Sequence, residues 1–316
     1  MEILANTQMN ILRDPQEKWP DKERVLALGF FDGVHLGHQA LLSKMREIAI
    51  EDKLSPAALT FSDAPAKVFR GDAYHGVIQT PEQRTEILHE QGAEEILALE
   101  PNKAILSLEP EEYLQRIILQ NARAKALVCG RDHSFGKKGS NYIEILENFC
   151  QRENIRLEVI SDIFHKGVPV SSTRIRQHLL AGEMEEATAL MGRPFAHSSV
   201  VIQGLKLGRR LGFPTLNIKP DPEQILPPFG VYLTKVVWDG KEAPGVTNLG
   251  ISPTVSDKGK VQSETYILTD YYPDYGDKIE VQYLRFTRAE EKYASLEELK
   301  TRVEQDIREA REAFSL

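Results

Sequence analysis

The feature that most constrains this chain is a change of pattern part-way along it. From Val25 to about Gln151, short apolar runs alternate with amphipathic stretches. VLALGFF, AALTF, ILALE, ALVCG and, further on, LEVI have the length of strands, and helical patterns separate them. After the first run, Leu41, Leu42, Met45, Ile48 and Ala49 fall at i, i+1, i+4, i+7 and i+8, one face of a helix. Such alternation predicts an α/β domain built on a doubly wound parallel sheet. Beyond a helical segment around Thr173 to Met191 the pattern becomes SVVIQ, GVYLTKVVW, GVTNLG, QSETYILT and KIEVQYLRF, punctuated by Gly, Pro and Asp. These short strands predict an antiparallel β-barrel. Leu296, Leu299, Val303 and Ile307 then space one apolar face of a terminal helix that could pack on it. The boundary falls near residues 187 to 195, giving domains 1–187 and 188–316, a division that 316 residues accommodate well.

Composition excludes several classes of function. A net charge of −8 disfavours a nucleic-acid surface, which needs a continuous basic face to displace counterions. No run of 18 apolar residues suggests a membrane span, and the first twenty residues lack a basic segment followed by an apolar one, so a cytoplasmic location is expected. Cys129 and Cys150, the only cysteines, form no metal-ligand spacing and read as reduced core thiols. The oligomeric state is open, because nothing in the composition marks an obligate interface.

Two segments carry chemistry. GFFDGVHLGHQALL places a loop with Gly33, His35, Gly37 and His38 between a predicted strand and a predicted helix. Free N–H groups and the positive end of the helix dipole then point at whatever lies above the strand, which suits a phosphate. His35 and His38 could donate hydrogen bonds to phosphate oxygens as charge builds during displacement at phosphorus, or could simply cap and pack. Later, PVSSTRIR clusters Ser171, Ser172, Thr173, Arg174 and Arg176. Hydroxyl and guanidinium groups together suit a triphosphate and a departing pyrophosphate, and the serines also suit an ordinary helix cap.

The second segment, QGLKLGRRLGFPTLNI, sets Gly204, Gly208 and Gly212 among Lys206, Arg209 and Arg210. Such a stretch reads either as a flap over a polyphosphate or as a solvated turn. In extended backbone Thr215 and Asn217 project to one face, so both side-chain oxygens could reach a hard cation such as magnesium. Glu264, in QSETYIL, reads on its own as a surface carboxylate.

HLGH with SSTRIR resembles the nucleotidyltransferase superfamily, and GFFDGVHLGH resembles the FMN adenylyltransferase module of bacterial bifunctional riboflavin kinase/FAD synthetases. GRRLGFPTLN resembles the phosphate-and-magnesium motif of riboflavin kinases, and the likeness continues through VTNLG, ETYIL, YG and LRFTRAEEKYASLEEL. The resemblance implies an enzyme that makes FMN from riboflavin and FAD from FMN, using ATP with magnesium. It implies that His35, His38, Ser172, Thr173 and Arg176 contact ATP, and that Asp132 of CGRDHSFG helps to bind the nucleotide or flavin phosphate. It further implies Thr215 and Asn217 as magnesium ligands, Glu264 as catalytic base, and Asn248 and Arg285 on the flavin side.

Departures from the family pattern are visible. Thr60, Phe61, Ser62, Asp63, Ala64 and Pro65 stand where the family often carries Pro-His-Pro, so a histidine is missing at Ala64. Ser199 replaces a usual glycine, Ser252 a common arginine and Tyr266 a common histidine. Two rival readings follow: a riboflavin kinase with an impaired adenylyltransferase half, and a non-catalytic flavin- or nucleotide-binding regulator. The second would be marked by loss of phosphate-binding or base residues, yet Thr215, Asn217, Glu264, His35 and His38 are all present.

Overall fold

The computed structural model describes residues 9–65, 67, 76–135, 142–204, 208, 211–252 and 260–316. The chain divides into two compact units, 1–172 and 173–316.

Unit 1 is built on strands β1 (Met9–Leu12), β2 (Arg24–Leu28), β3 (Ser55–Phe61), β4 (Glu95–Leu99), β5 (Ala124–Gly130) and β6 (Arg156–Ile160). They form one sheet in the order β1-β4-β3-β2-β5-β6, with every pairing parallel. Helices α1 (Leu36–Asp52), α2 (Pro81–Glu90) and α3 (Tyr142–Glu153) make crossover connections. The sheet is covered on both faces, as parallel sheets are. Leu26 and Leu28 of β2 join one core cluster with Leu59, Leu127 and Phe149, while Val25 and Ala27 join a second with Met45, Ile48 and Val128. Leu41, Leu42, Met45, Ile48 and Ala49 are the buried residues of α1, the face that the spacing predicts. Cys129 and Cys150 are free and buried in the first cluster, where burial pushes each thiol up to about 12. Strand order reverses between β2 and β5, so the loops leaving these two strands flank the crevice in which open α/β sheets bind ligands.

Unit 2 begins with α4, whose first residue Ser172 closes unit 1 (Ser172–Ala181), and α5 (Met184–Met191). Six strands follow: β9 (Phe195–Val200), β10 (Leu216–Ile218), β11 (Gly230–Trp238), β12 (Lys241–Ser252), β13 (Lys260–Ile267) and β14 (Lys278–Ala289). They pair antiparallel in the order β10-β13-β12-β11-β14-β9. The edge strands meet through the bridge Ile202 to Asn217, so the sheet is a curled half-barrel. A hairpin of β7 (Phe164–His165) and β8 (Val168–Pro169) precedes α4 and has no counterpart in the sequence reading.

The barrel interior is lined by polar groups that satisfy one another. Thr247 Oγ1 is 2.7 Å from Thr234 Oγ1 and 2.8 Å from Thr265 Oγ1. The fully buried His197 lies 3.2 Å by Nε2 from the Ile225 carbonyl and 3.0 Å by Nδ1 from the Tyr283 hydroxyl. A carbonyl only accepts, so Nε2 carries the proton and Nδ1 accepts from Tyr283.

The terminal helix α6 (Leu296–Phe314) covers the outer face of the sheet. Ile307 and Ala310 cluster with Val231, Leu233 and Val246, and Val303 and Phe314 pack against them. A bidentate pair, Arg288 Nε to Asp306 Oδ1 at 3.0 Å and Nη2 to Oδ2 at 2.6 Å, fixes α6 to β14. Leu296 is 54% exposed, so the docked stripe starts later than the spacing predicts.

Candidate active sites on the two units

In unit 1 the loop leaving β2 is held from several sides. Phe31 (φ 57°) and Val34 (φ 33°) lie at positive φ, a costly state that surrounding contacts must sustain, and Gly33 (φ 85°) between them takes it without that cost. Thr60 Oγ1 and Arg84 Nη1 donate to the Phe30 carbonyl at 3.0 and 3.2 Å. The Arg84 guanidinium stands 4.6 Å from the Phe30 ring centroid, and Nη2 donates to the Phe61 carbonyl at 2.6 Å. Asp32, 2% exposed, accepts through Oδ1 from the backbone N–H groups of Ile78 and Gln79 at 2.9 and 3.3 Å. Neither Asp32 nor Arg84 stands out in the sequence, because a lone charged residue reads as surface.

His35 is the N-cap of α1: its Nδ1 accepts from the backbone N–H of His38 at 3.3 Å. That bond makes Nδ1 the acceptor and places the ring proton on Nε2. The two imidazoles stack with centroids 3.7 Å apart, and Phe31 meets His38 edge-on at 5.2 Å. A Cβ on Gly37 would press on the His35 ring at 3.1 Å. Of the two roles set against each other in the sequence, capping is the one that Nδ1 of His35 takes.

Ser172 Oγ donates to the Asp32 carbonyl at 2.7 Å, so this hydroxyl already ties the start of α4 to the β2 loop. Thr173 is exposed on α4, and Arg174 and Arg176 are half-buried there. Asp132 follows β5 on the other side of the strand reversal and is exposed. Its neighbour His133 was not singled out in the sequence. Burial holds its imidazole down to about 4, and its buried Nε2 has no hydrogen-bond partner among the described residues. Ala64 is buried beyond the end of β3, where its N–H donates to Asp63 Oδ1 at 2.7 Å.

In unit 2 three candidate residues fall into one row. Asn217 of β10 pairs with Glu264 of β13, which pairs with Asn248 of β12. Directly paired residues share a face, so three side chains of adjacent strands converge. Burial raises the Glu264 carboxyl above its ordinary range. Asn248 Nδ2 donates to Glu290 Oε1 at 3.4 Å. Arg285 is exposed on β14 opposite Leu233, with β11 between its strand and that of Asn248.

The flap glycines lie against the proposed metal pair. A Cβ on Gly204 would stand 2.6 Å from the Asn217 side chain, and one on Gly208 would run into the Phe213 carbonyl and meet Thr215 Oγ1 at 3.3 Å. Asn217 Nδ2 is 3.4 Å from Thr215 Oγ1, so the two side chains are neighbours, as extended backbone predicts. A hydroxyl and a neutral amide side by side are donors of the kind that a magnesium ion takes together with water and substrate phosphate, although here the amide turns its Nδ2 toward Thr215 and its Oδ1 toward Gln262. Among the described residues no group of three His, Cys, Asp or Glu could hold a metal. Lys206, Arg209 and Arg210 lie outside the described residues. Tyr266 meets Phe213 of the flap edge-on at 6.0 Å, and Ser199 lies half-buried in β9.

Two family models match in succession, FAD synthetase over residues 17–174 and riboflavin kinase over residues 191–314. The chain belongs to the bifunctional riboflavin kinase/FMN adenylyltransferase family. Relatives of that name occur in Listeria monocytogenes (31% identical, 95% of each chain covered) and Pseudomonas fluorescens (34% identical, 91% of this chain and 92% of the relative). Another occurs in Escherichia coli K12 (32% identical, 94% of this chain and 95% of the relative). A solved structure named as a macrolide-efflux protein from Streptococcus pneumoniae is 28% identical, with a TM-score of 0.83, covering 95% of this chain and 98% of its own. Among the described residues no helix is long and apolar enough to cross a membrane. As a bifunctional riboflavin kinase/FMN adenylyltransferase, the chain carries two flavin-modifying activities, with the FAD synthetase match preceding the riboflavin kinase match along the sequence.

Proposed function

We propose the following division of labour for the two activities. In the carboxy-terminal half, Thr215 and Asn217 hold magnesium, while Gly204, Lys206, Gly208 and Arg209 cover the phosphates of ATP. The ion supplies charge neutralisation on the phosphate oxygens. Asn248 and Arg285 hold riboflavin. Glu264 accepts the proton of the ribityl 5′ hydroxyl as that oxygen bonds to the γ-phosphorus and the bond to ADP breaks. The observation that carries this reading is the Asn217, Glu264, Asn248 row, with its carboxyl made more basic by burial.

In the amino-terminal half a phosphate oxygen of FMN attacks the α-phosphorus of ATP, and pyrophosphate leaves. His35 and His38 donate hydrogen bonds to the phosphate oxygens that gain charge, and the close approach at Gly33 and Gly37 lets backbone N–H groups assist. Thr173 and Arg176 hold the polyphosphate, Ser172 fixes the β2 loop that carries the histidines, and Asp132 contacts the nucleotide or flavin phosphate. Neither reaction needs a covalent enzyme intermediate, and both depend on positioning and fixed charge. The functional boundary lies at 187/188. The compact units divide at 172/173, and the family models leave residues 175–190 unassigned. The enzyme acts in the cytoplasm on small-molecule substrates.

The test is a time course of purified protein with riboflavin, ATP and magnesium, resolved by chromatography and repeated from FMN. FMN followed by FAD is the expected result. FMN without FAD supports a kinase-only enzyme and directs attention to Ala64, and binding without conversion supports the regulatory reading.

A further inference from the structure

A carboxylate from outside the Asn217, Glu264, Asn248 row reaches into it. Glu290 is the first residue beyond β14, and its Oε1 lies 3.4 Å from Asn248 Nδ2. A Cβ on Gly250 would fall on that carboxylate and stand 2.7 Å from its carbon, so Glu290 occupies the space that a side chain at Gly250 would take. Gly250 and Asn248 are alternate residues of β12 and share a face, the one on which Asn248 is paired with Glu264. The register explains the reach. Ala289 of β14 pairs with Gly230 of β11, and Gly230 pairs with Leu249 of β12. Glu290 and Gly250 are therefore level, at a height where the β11 ladder has ended. Gly230 lets β14 pass close by, since a Cβ there would stand 2.7 Å from the Phe286 ring and 3.0 Å from the Ala289 Cα. Among the described residues no cation takes the Glu290 carboxylate; Arg288, two residues earlier, is committed to Asp306 and Glu291.

We propose that Glu290 is a positioning residue for riboflavin phosphorylation, which holds the NH2 group of Asn248 and so presents the Asn248 oxygen to the flavin. The inference rests on Asn248 standing on the flavin side. The partner decides which way this amide points: a carboxylate offers only lone pairs, so the end of the amide beside it is the donor end. Asn248 stands between two such acceptors, Glu290 and the directly paired Glu264. A donor on Glu264 would occupy the lone pair with which the base takes the ribityl proton. Burial is the only influence on the Glu264 carboxyl, and among the described residues no side-chain donor is bonded to it. Glu290 thus draws the Asn248 NH2 away from the base and leaves Oδ1 as the end that meets substrate. Riboflavin supplies matching donors in its ribityl hydroxyls and ring N3–H. Without the Glu290 carboxylate the amide is free to turn, and the flavin loses a fixed acceptor.

The test is a steady-state assay of FMN formation by the full-length chain, with riboflavin and ATP varied separately. Glu290→Ala should raise the KM for riboflavin about 3- to 10-fold, the worth of one net hydrogen bond, while the KM for ATP stays as it was. Glu290→Gln loses the charge but keeps an oxygen that accepts from Asn248, and it should recover most of that loss. Asn248→Ala should raise the KM for riboflavin by itself, and adding Glu290→Ala to it should change little more, because the second residue acts only through the first. An unchanged KM for riboflavin in Glu290→Ala overturns the proposal. So does a Gln variant as impaired as the Ala variant, which makes the charge itself the agent, or a double variant whose losses multiply, which makes Glu290 act without Asn248. A KM for ATP that rises in step with that for riboflavin reduces Glu290 to a general support of the unit and overturns the proposal too. Asn248→Ala with an unaltered KM for riboflavin instead takes Asn248 off the flavin side, a failure of the underlying reading and of the inference built on it.

Discussion

Acid should destabilise the kinase unit through one residue that touches no substrate. His197 is fully buried in the barrel, donates from Nε2 to the Ile225 carbonyl and accepts from Tyr283 at Nδ1, and burial holds its pKa down to about 4. The Ile225 bond and the charge of Asp221 oppose that shift without cancelling it. The unfolded chain presents an ordinary histidine near pH 6.5. Between pH 6.5 and 4 the unfolded state therefore binds a proton that the folded state refuses. Stability is fully present above 6.5 and falls as the pH is lowered to 4. The complete loss is about 3.4 kcal/mol, and from pH 7.5 to 5 it is about 2 kcal/mol, a large part of a typical domain stability. Trp238 lies in this unit and is buried against Tyr271, whereas Trp19, the only other tryptophan, lies in unit 1. Urea unfolding followed by tryptophan fluorescence in a Trp19→Phe background thus isolates the barrel. His197→Gln keeps a donor for Ile225 and an acceptor for Tyr283 but cannot titrate. It should cost stability at pH 7.5 yet remove about 2 kcal/mol of the decline toward pH 5. An identical decline in both proteins would show that His197 is not its source.

Further outcomes concern the two sites separately. Glu264→Gln should lower FMN formation by about 100- to 10,000-fold while leaving FAD formation from supplied FMN intact. Because burial raises the Glu264 carboxyl, the acid limb of the wild-type kinase profile should lie above that of an ordinary glutamate, the rate falling as the base gains its proton. His38→Ala should reduce FAD formation about 100-fold and spare the kinase, and an unchanged FAD rate would remove the histidine from the mechanism. Asp32→Ala leaves the N–H groups of Ile78 and Gln79 without their acceptor and should destabilise unit 1 by about 2–4 kcal/mol, with loss of FAD formation. Asp32→Asn keeps an oxygen there and should retain most of both, which a calorimetric scan beside the FAD assay would decide. Gly204→Ala drives a methyl into Asn217 and should impair riboflavin phosphorylation alone, as initial rates from riboflavin and from FMN would show.

Periodicity made the layers of the fold legible. The α1 face, the strand GVYLTKVVW and the switch to antiparallel strands all lie where hydrophobic spacing puts them, because burial on one or both faces imposes a period on the sequence. Strand ends were less legible. SVVIQ covers only the end of β9, which begins at Phe195, and β1 and the β7–β8 hairpin carry too few residues to show a period. Glu264 stands out as a candidate base only through its motif, since register alone places Asn217 and Asn248 beside it, and register depends on pairing across distant segments. The supports were not readable. Arg24 is wholly buried and paired with Glu95, and Asp32, Arg84, His197 and Gln262 act through partners tens of residues away.

The half-barrel joins its two edges at Ile202 and Asn217, and the bridging N–H of Ile202 donates to the backbone carbonyl of Asn217 itself. The seam of the sheet and the proposed cation ligand are therefore the same residue. Whatever grips the Asn217 side chain also laces the seam, and whatever parts the seam withdraws the ligand. If Asn217 holds the cation as proposed, the Ile202 amide should exchange its hydrogen more slowly whenever the kinase site is filled.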